Sequence, residues 1–332
     1  MENEAIRLYC GQCEKRWNYH APATGPFACI SPVTGNTTTS KTTTSVEVAP
    51  HTQVIQDSGA FSDGPGQRLS FPEALKQQER HAERFGYADR VTARASYDFL
   101  IDEMWDENEL NGTFVRRKRR WSEGDARDAV EETVQAAAFL SQHRNGLSCL
   151  LSAQGVSALQ YLDCAQRVLA YFQPEDTFAL GGWCITGKMP AQIMPHFRET
   201  MYRLIPFLGG QGVKRIHIWG VCYAPALGEL LWLCDQWGIA LSTDSVGPSI
   251  QPVRGIWGYA EWRMKPGMYH QPPVRDSCKT GHFDQCQGCR GLERARHTQA
   301  TRLWLADFRQ TPWYPRQDPQ YLNKPRQLTL AV

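Results

Sequence analysis

The stretch RIHIWGVCYAPALGELLWLCDQWGIALSTDS, residues 215–245, reads as strand, helix, strand. Arg215–Val221 is a short apolar run, Pro225–Trp237 has helical length and opens on a proline, and Ile239–Asp244 is a second short run. Two strands joined by a helix of that length form a βαβ unit with parallel strands, because a crossover must carry the chain back to its starting edge. The pattern recurs toward the N-terminus, with strands expected at Gln53–Asp57, Ala93–Leu100, Ser148–Gln154 and Thr177–Gly182. Between them lie helix candidates at Pro72–Phe85, Ser122–His143, Ser157–Phe172 and Gln192–Leu208. Six or more such units over about 250 residues suit an α/β (β/α)8 TIM barrel better than a doubly wound sheet. A doubly wound sheet usually shows a glycine-rich phosphate loop after its first strand, and the chain has neither G-x-G-x-x-G nor a Walker sequence.

Composition agrees with a large folded core. Of 332 residues, 42% are hydrophobic, 11% aromatic and 21% charged, which excludes disordered and collagen-like chains. Thirty-six basic residues against 34 acidic ones give a net charge of +2, which neither announces a nucleic-acid partner nor excludes one. The first residues lack a signal-peptide profile and no apolar run reaches 18 residues, so the expectation is a soluble cytoplasmic protein with no membrane partner. Eleven cysteines, an odd number without a secretion signal, read as metal ligands or catalysts before disulfides. Residues 31–45 are Thr/Ser-rich without apolar period and read as a mobile loop. The expected organisation is an N-terminal segment and loop over 1–45, a barrel over 46–270, a zinc segment with a barrel-closing helix over 271–310, and a tail over 311–332.

In a barrel, chemistry sits where strands end and βα loops begin. Those positions read Asp57-Ser58-Gly59-Ala60, then Asp98 or Asp102, Gln154-Gly155, Gly181-Gly182-Trp183, Gly220-Val221 and Asp244-Ser245. An aspartate after a strand is often only a cap or turn residue. Carboxylates on separate strand ends, with an amide and glycines between them, suit a flat polar ligand and acid/base or nucleophilic work.

Cys278-x3-His282-x3-Cys286-x2-Cys289 is the sharpest local signal, since three thiolates and an imidazole complete a tetrahedral zinc site. His297 competes as fourth ligand. Cys10-x2-Cys13 with His20 and Cys29 reads either as a second metal site or as a tight turn after a first strand. The run Arg116-Arg117-Lys118-Arg119-Arg120 beside Trp121 reads by default as a solvated face, and alternatively as a phosphate contact with a stacking aromatic.

Several motifs resemble one family. Asp57-Ser-Gly-Ala-Phe resembles the Asp-Ser-Gly-Gly-Phe motif of tRNA-guanine transglycosylases, and Leu180-Gly-Gly-Trp their Leu-Gly-Gly-Leu segment. Trp219-Gly-Val, Pro225-Ala-Leu-Gly-Glu-Leu-Leu and Asp244-Ser-Val resemble their Met-Gly-Val, Pro-Glu-Asp-Leu-Leu and Asp-Cys-Val progression, with the Cys-rich segment following in the same order. Thr243-Asp244-Ser245 and the Cys…His…Cys-x2-Cys spacing are more similar to the DNA-modifying branch, the 7-deazaguanine DNA transglycosylases of bacteria and phages. The resemblance spans roughly residues 50–310.

It implies exchange of guanine in DNA for a 7-deazaguanine, inside a bacterial or phage-infected cell. Asp244 would be the nucleophile and Asp57 the general acid/base. Ser58, Gly59, Asp98, Gln154, Gly181 and Gly182 would bind the base, and Cys278, His282, Cys286 and Cys289 would hold one structural Zn2+. Two departures stand out: Ala60 replaces a glycine, and Trp183-Cys-Ile-Thr-Gly-Lys188 lacks the family's acidic residue, which favours the nitrile base preQ0 over an aminomethyl cation. Arg275 and Arg290, with the basic run, are further phosphate candidates. The alternatives are a tRNA-guanine transglycosylase and a non-catalytic nucleic-acid-binding barrel. The oligomeric state is left open.

Overall fold

The computed structural model describes residues 4–12, 26–32, 48–60, 68–99, 105–110, 113–118, 123–183, 190–245 and 298–315. Strands β1 (Ile6–Gln12), β2 (Phe27–Ile30), β3 (Gln53–Gln56) and β4 (Val91–Ala95) are followed by a hairpin, β5 (Trp105–Leu110) and β6 (Thr113–Lys118). Then come β7 (Ser148–Ala153), β8 (Thr177–Leu180), β9 (Arg215–Ile218) and β10 (Ala240–Ser245). Helices α1 (Phe71–Arg84), α2 (Glu123–Gln142), α3 (Ala158–Leu169), α4 (Pro190–Gly210) and α5 (Ala224–Gln236) alternate with the later strands. Eight strands close into one barrel in the order β1-β10-β9-β8-β7-β4-β3-β2, and every neighbouring pair is parallel. This is the TIM-like α/β architecture that the sequence leads one to expect.

The barrel begins earlier than residue 46. β1 and β2 lie inside the segment read as an N-terminal extension, and they fill the gap between β10 and β3. Without them the six later strands would leave two sheet edges open, a costly row of unpaired backbone groups. Their signal was weak because β2 has only four residues and no helical pattern separates it from β3. At the other end of the chain, residues 298–306 are helical, and Ala5 N–H donates to Ala306 O at 2.9 Å. Trp304, Leu305 and Phe308 are buried in the main core there, so this segment covers the barrel floor.

Two layers of side chains follow from the two-residue period of a strand. One face of each strand packs under the helices: Leu8, Cys149, Leu151, Phe178, Leu180, Ile216 and Ile218 join Tyr161, Phe197 and Leu230 in the large core. The other face fills the barrel with Cys29, Ile55, Ala93, Ala95, Leu150 and Ala179, against Tyr9 and Trp219. Cys10 and Cys29 fall on opposite sides of this division. Cys10 is in register with Ala28, one residue out of step with Cys29, and it packs in the outer core. The two thiols therefore face opposite sides of the barrel wall, although Cys10 is near enough to add to the rise of the Cys29 thiol. Cys13 and His20 lie outside the described residues.

The basic run also changes character. Arg116, Arg117 and Lys118 are on β6, in register with Glu107, Asp106 and Trp105 of β5. The run belongs to a hairpin inserted after β4, with acidic residues opposite two of its bases. Arg119, Arg120 and Trp121 lie outside the described residues. Among the described residues, no helix is long and apolar enough to cross a membrane.

Candidate active site

Asp57 follows β3 and shares the inward parity of Ile55, whereas Gln56 points outward, where its amide donates to Gln78 O at 2.8 Å. Gln78, buried on α1, donates to both Asp57 O (3.1 Å) and Ala95 O (3.2 Å) and so ties the ends of β3 and β4 together. Burial raises the Asp57 carboxyl above its ordinary value of 3.8, and the Asp244 charge adds to the rise. Hydrogen bonds from the Gly59 and Ser58 amides and the Ser31 side chain oppose it. Ser58 and Gly59 thus act on Asp57 through the backbone.

β4 ends sooner than expected, at Ala95, because the chain turns out of the ladder with Asp98 N–H bonded to Ser96 O at 2.9 Å. The turn delivers Asp98 to the barrel mouth, 6% exposed. Arg68 braces it from behind: its guanidinium donates to Asp98 O at 3.2 Å and to Glu132 at 2.6 Å, and stacks over Tyr97 and Phe99. The Gln154 side-chain amide donates to Asp98 Oδ2. Burial first, then the neighbouring Asp57 charge, pushes the Asp98 carboxyl up to about 6, while Gln154 and Arg68 pull it down. Asp102 lies outside the described residues.

Gly181 is what makes room for Gln154. A Cβ at this position would lie 2.7 Å from Gln154 Cδ. Its own N–H is used by Ala153 O (3.1 Å) and its carbonyl accepts Tyr161 O–H (3.1 Å). The backbone donor expected to meet a base at Gly181 is therefore already engaged, and the residue serves the pocket through its missing side chain. Gly182 turns the chain beyond it with φ of 82°.

Asp244 closes the circle on β10, in register with Tyr9 of β1. Its Oδ1 accepts the Gly220 N–H at 2.7 Å and meets His217 Nε2 at 3.2 Å. Gly220 has φ of 67°, a left-handed conformation that glycine tolerates best and that aims its N–H at the carboxylate. Trp219, between them in sequence, donates from Nε1 to Ser152 Oγ at 3.1 Å and lies 4.4 Å from the His217 ring. Asp57 and Asp98, beyond the ends of the neighbouring strands β3 and β4, and Asp244 on β10 are close enough that the Asp244 charge acts on Asp57 and the Asp57 charge on Asp98. Cys29 lies beneath them, its thiol pushed well up by burial and by the Asp244 and Asp57 charges, so it rests as a neutral thiol.

His217, Ser31, Gln78 and Arg68 were not singled out from sequence, and Trp219 entered only as part of the Trp219-Gly-Val motif. His217 and Trp219 had a readable signal: both share the inward parity of β9 and flank the strand end that leads into Gly220. Gln78 and Arg68 had none, since each reaches a strand end from elsewhere in the chain. Cys278, His282, Cys286, Cys289, His297, Lys188, Arg275 and Arg290 lie outside the described residues. Among the described residues no group of three or more His, Cys, Asp or Glu side chains could hold a metal ion. No protein-family model matches the chain, and no curated protein is significantly similar to it.

Proposed function

We propose that the protein is a guanine transglycosylase that exchanges guanine in DNA for a 7-deazaguanine such as preQ0, through a covalent glycosyl–aspartate. What carries the reading is one observation: three carboxylates meet at the barrel mouth in unlike settings. Asp57 and Asp98 are raised by burial and repulsion, whereas Asp244 is held by a backbone N–H and faces an imidazole. Two carboxylates raised by burial, beside a third that accepts a backbone N–H, suit a division into acid and nucleophile.

Asp244 attacks C1′ of a deoxyguanosine, the C1′–N9 electron pair leaves with the purine, and Asp57 supplies the proton the purine takes up. In the return step N9 of the entering base bonds to C1′ and gives its proton to Asp57, and the C1′–O pair reverts to Asp244. Two displacements retain configuration, as in retaining glycosidases. Asp98 and Gln154 read the polar edge of the base. The deoxynucleotide must leave the duplex stack, at about a few kcal/mol. The donor set Cys278, His282, Cys286 and Cys289 fits one closed tetrahedral zinc, which would staple its own segment, and none of the chemistry passes through it.

The test is release of labelled guanine from duplex DNA and from a tRNA anticodon stem, each with preQ0 as incoming base. The expected result is exchange in DNA, a trapped covalent adduct with the wild-type chain, and none with Asp244→Asn. Exchange in tRNA alone would replace the polymer, and no exchange in either would end the reading.

A further inference from the structure

His217 is wholly buried in the barrel interior, and a buried imidazole needs a partner at each nitrogen. Nδ1 lies 3.0 Å from Ser242 Oγ and Nε2 lies 3.2 Å from Asp244 Oδ1. Tyr9 stands edge-on at 5.8 Å and Trp219 at 4.4 Å, so the ring cannot turn away without repacking its neighbours. Ser242 Oγ is also 3.2 Å from Ile216 O.

Proton counting then limits what the contact can be. If the Ser242 hydroxyl donates to Ile216 O, its oxygen accepts from Nδ1–H, and a second proton must lie between Nε2 and Oδ1. If it donates to Nδ1 instead, the ring's own proton sits on Nε2 and points at Oδ1. In both arrangements one proton lies between His217 and Asp244.

The geometry points to His217 as the positioning residue for Asp244: together with the Gly220 N–H it pins Oδ1, so that Oδ2 is the oxygen that bonds to C1′. This rests on the nucleophile role proposed above and deepens it. When the Oδ2–C1′ bond forms and C1′–N9 breaks, the proton delivered to the purine is that of Asp57, and the His217 proton stays on Nε2, hydrogen-bonded to Oδ1. When Oδ2–C1′ breaks again, the returning electron pair spreads onto a carboxylate whose other oxygen already has two partners. Ser242 holds the far side of the ring and fixes its orientation, the usual duty of an outer partner to a functional histidine.

The experiment compares His217→Phe, which keeps an aromatic ring and removes both nitrogens, with His217→Gln, which keeps a donor near the place of Nε2. His217→Phe should lower kcat about 100-fold in both half reactions, the scale of one lost donor at a reacting group, with KM for base and DNA changed less than about threefold. His217→Gln should recover most of that loss. The 15N signal of Nε2 should show a bound proton in the wild-type chain and move in Asp244→Asn. A His217→Phe enzyme of wild-type kcat overturns the proposal, as does a folded His217→Gln no faster than His217→Phe. Should His217→Phe not fold, the kcat of His217→Gln and the ring signal decide, a signal indifferent to Asp244→Asn overturning the contact. If the wild-type chain exchanges no guanine while the signal does respond to Asp244, the base-exchange reading fails and the pinning of Asp244 stands.

Discussion

Buried aspartates at the two ends of the barrel live in opposite circumstances. At the floor, Asp176 precedes β8, and its Oδ1 accepts from Arg144 (2.5 Å) and from Cys149 N–H (2.8 Å). Its Oδ2 accepts from Arg144 (2.8 Å) and from Gln173 N–H (2.8 Å), so every side of the carboxylate is answered. At the mouth, Asp57 and Asp98 are raised first by burial and then by a neighbouring carboxylate, Asp244 for the one and Asp57 for the other. The floor uses a charge to tie β7 to β8. The mouth instead buries two carboxylates whose surroundings raise them, which is what the proposed acid/base role would use.

That contrast can be broken from either end. The largest effect is expected at the mouth. Asp244→Asn keeps volume and removes the proposed nucleophile, and guanine exchange should fall at least about 1,000-fold with the melting temperature within a few degrees of wild type. An Asp244→Asn chain that still exchanges at near wild-type rate would falsify the nucleophile role.

The floor should show the reverse. Asp176→Ala strands Arg144 and two backbone N–H groups in a place that is 1% exposed, and stability should fall by about 3–5 kcal/mol in urea titrations. Per folded molecule at low temperature, exchange should be unchanged. A loss of activity in the folded fraction would mean that floor and mouth are not separable.

Asp98 should leave a signature in stability against pH. Its folded value of about 6 lies above the ordinary 3.8, so the folded state holds a proton that the unfolded chain releases between about 4 and 6. Stability from this group is therefore full below about 4 and is lost as pH rises through 6. A rise of that size corresponds to on the order of 2–3 kcal/mol. Asp57, raised by the same causes, pulls in the same direction. Denaturation curves of wild type and Asp98→Asn should diverge across that window, the variant falling less. Parallel curves would remove Asp98 from the charge-frustrated set.

The smallest effect concerns Gly181. In Gly181→Ala the added methyl displaces the Gln154 side chain from Asp98, and KM for the incoming base should rise about tenfold, on the order of 1.4 kcal/mol, with little change in kcat. A normal KM would show that Gln154 reads nothing.

Much of this site is legible in the sequence. The strand ends that carry Asp57, Gln154, Gly181 and Asp244 could be located because a strand followed by a helix marks its own terminus, and a parallel barrel puts every such terminus on one face. The positions of α1 to α5 came within a few residues for the same reason: helices of 12 or more residues with apolar stripes announce themselves locally. β1 and β2 did not, because no helical stretch separates β2 from β3 to mark a βαβ unit, and both owe their place to hydrogen bonds with neighbours in the closed ring, β1 with the distant β10.

The sequence by itself determined the fold class, the face on which the strands end and the aspartates that stand there, since each depends on periodicity and residue type along a short stretch of chain. Only the tertiary structure decided which neighbours those aspartates have. Burial and charge are properties of space. Asp98 is raised by Asp57 from another strand, Gln154 reaches Asp98 through the room left by Gly181, and His217 meets Asp244 because β9 and β10 are adjacent in register. The same step separated Cys10 from Cys29, two thiols that look like partners in the sequence and face opposite sides of the barrel wall.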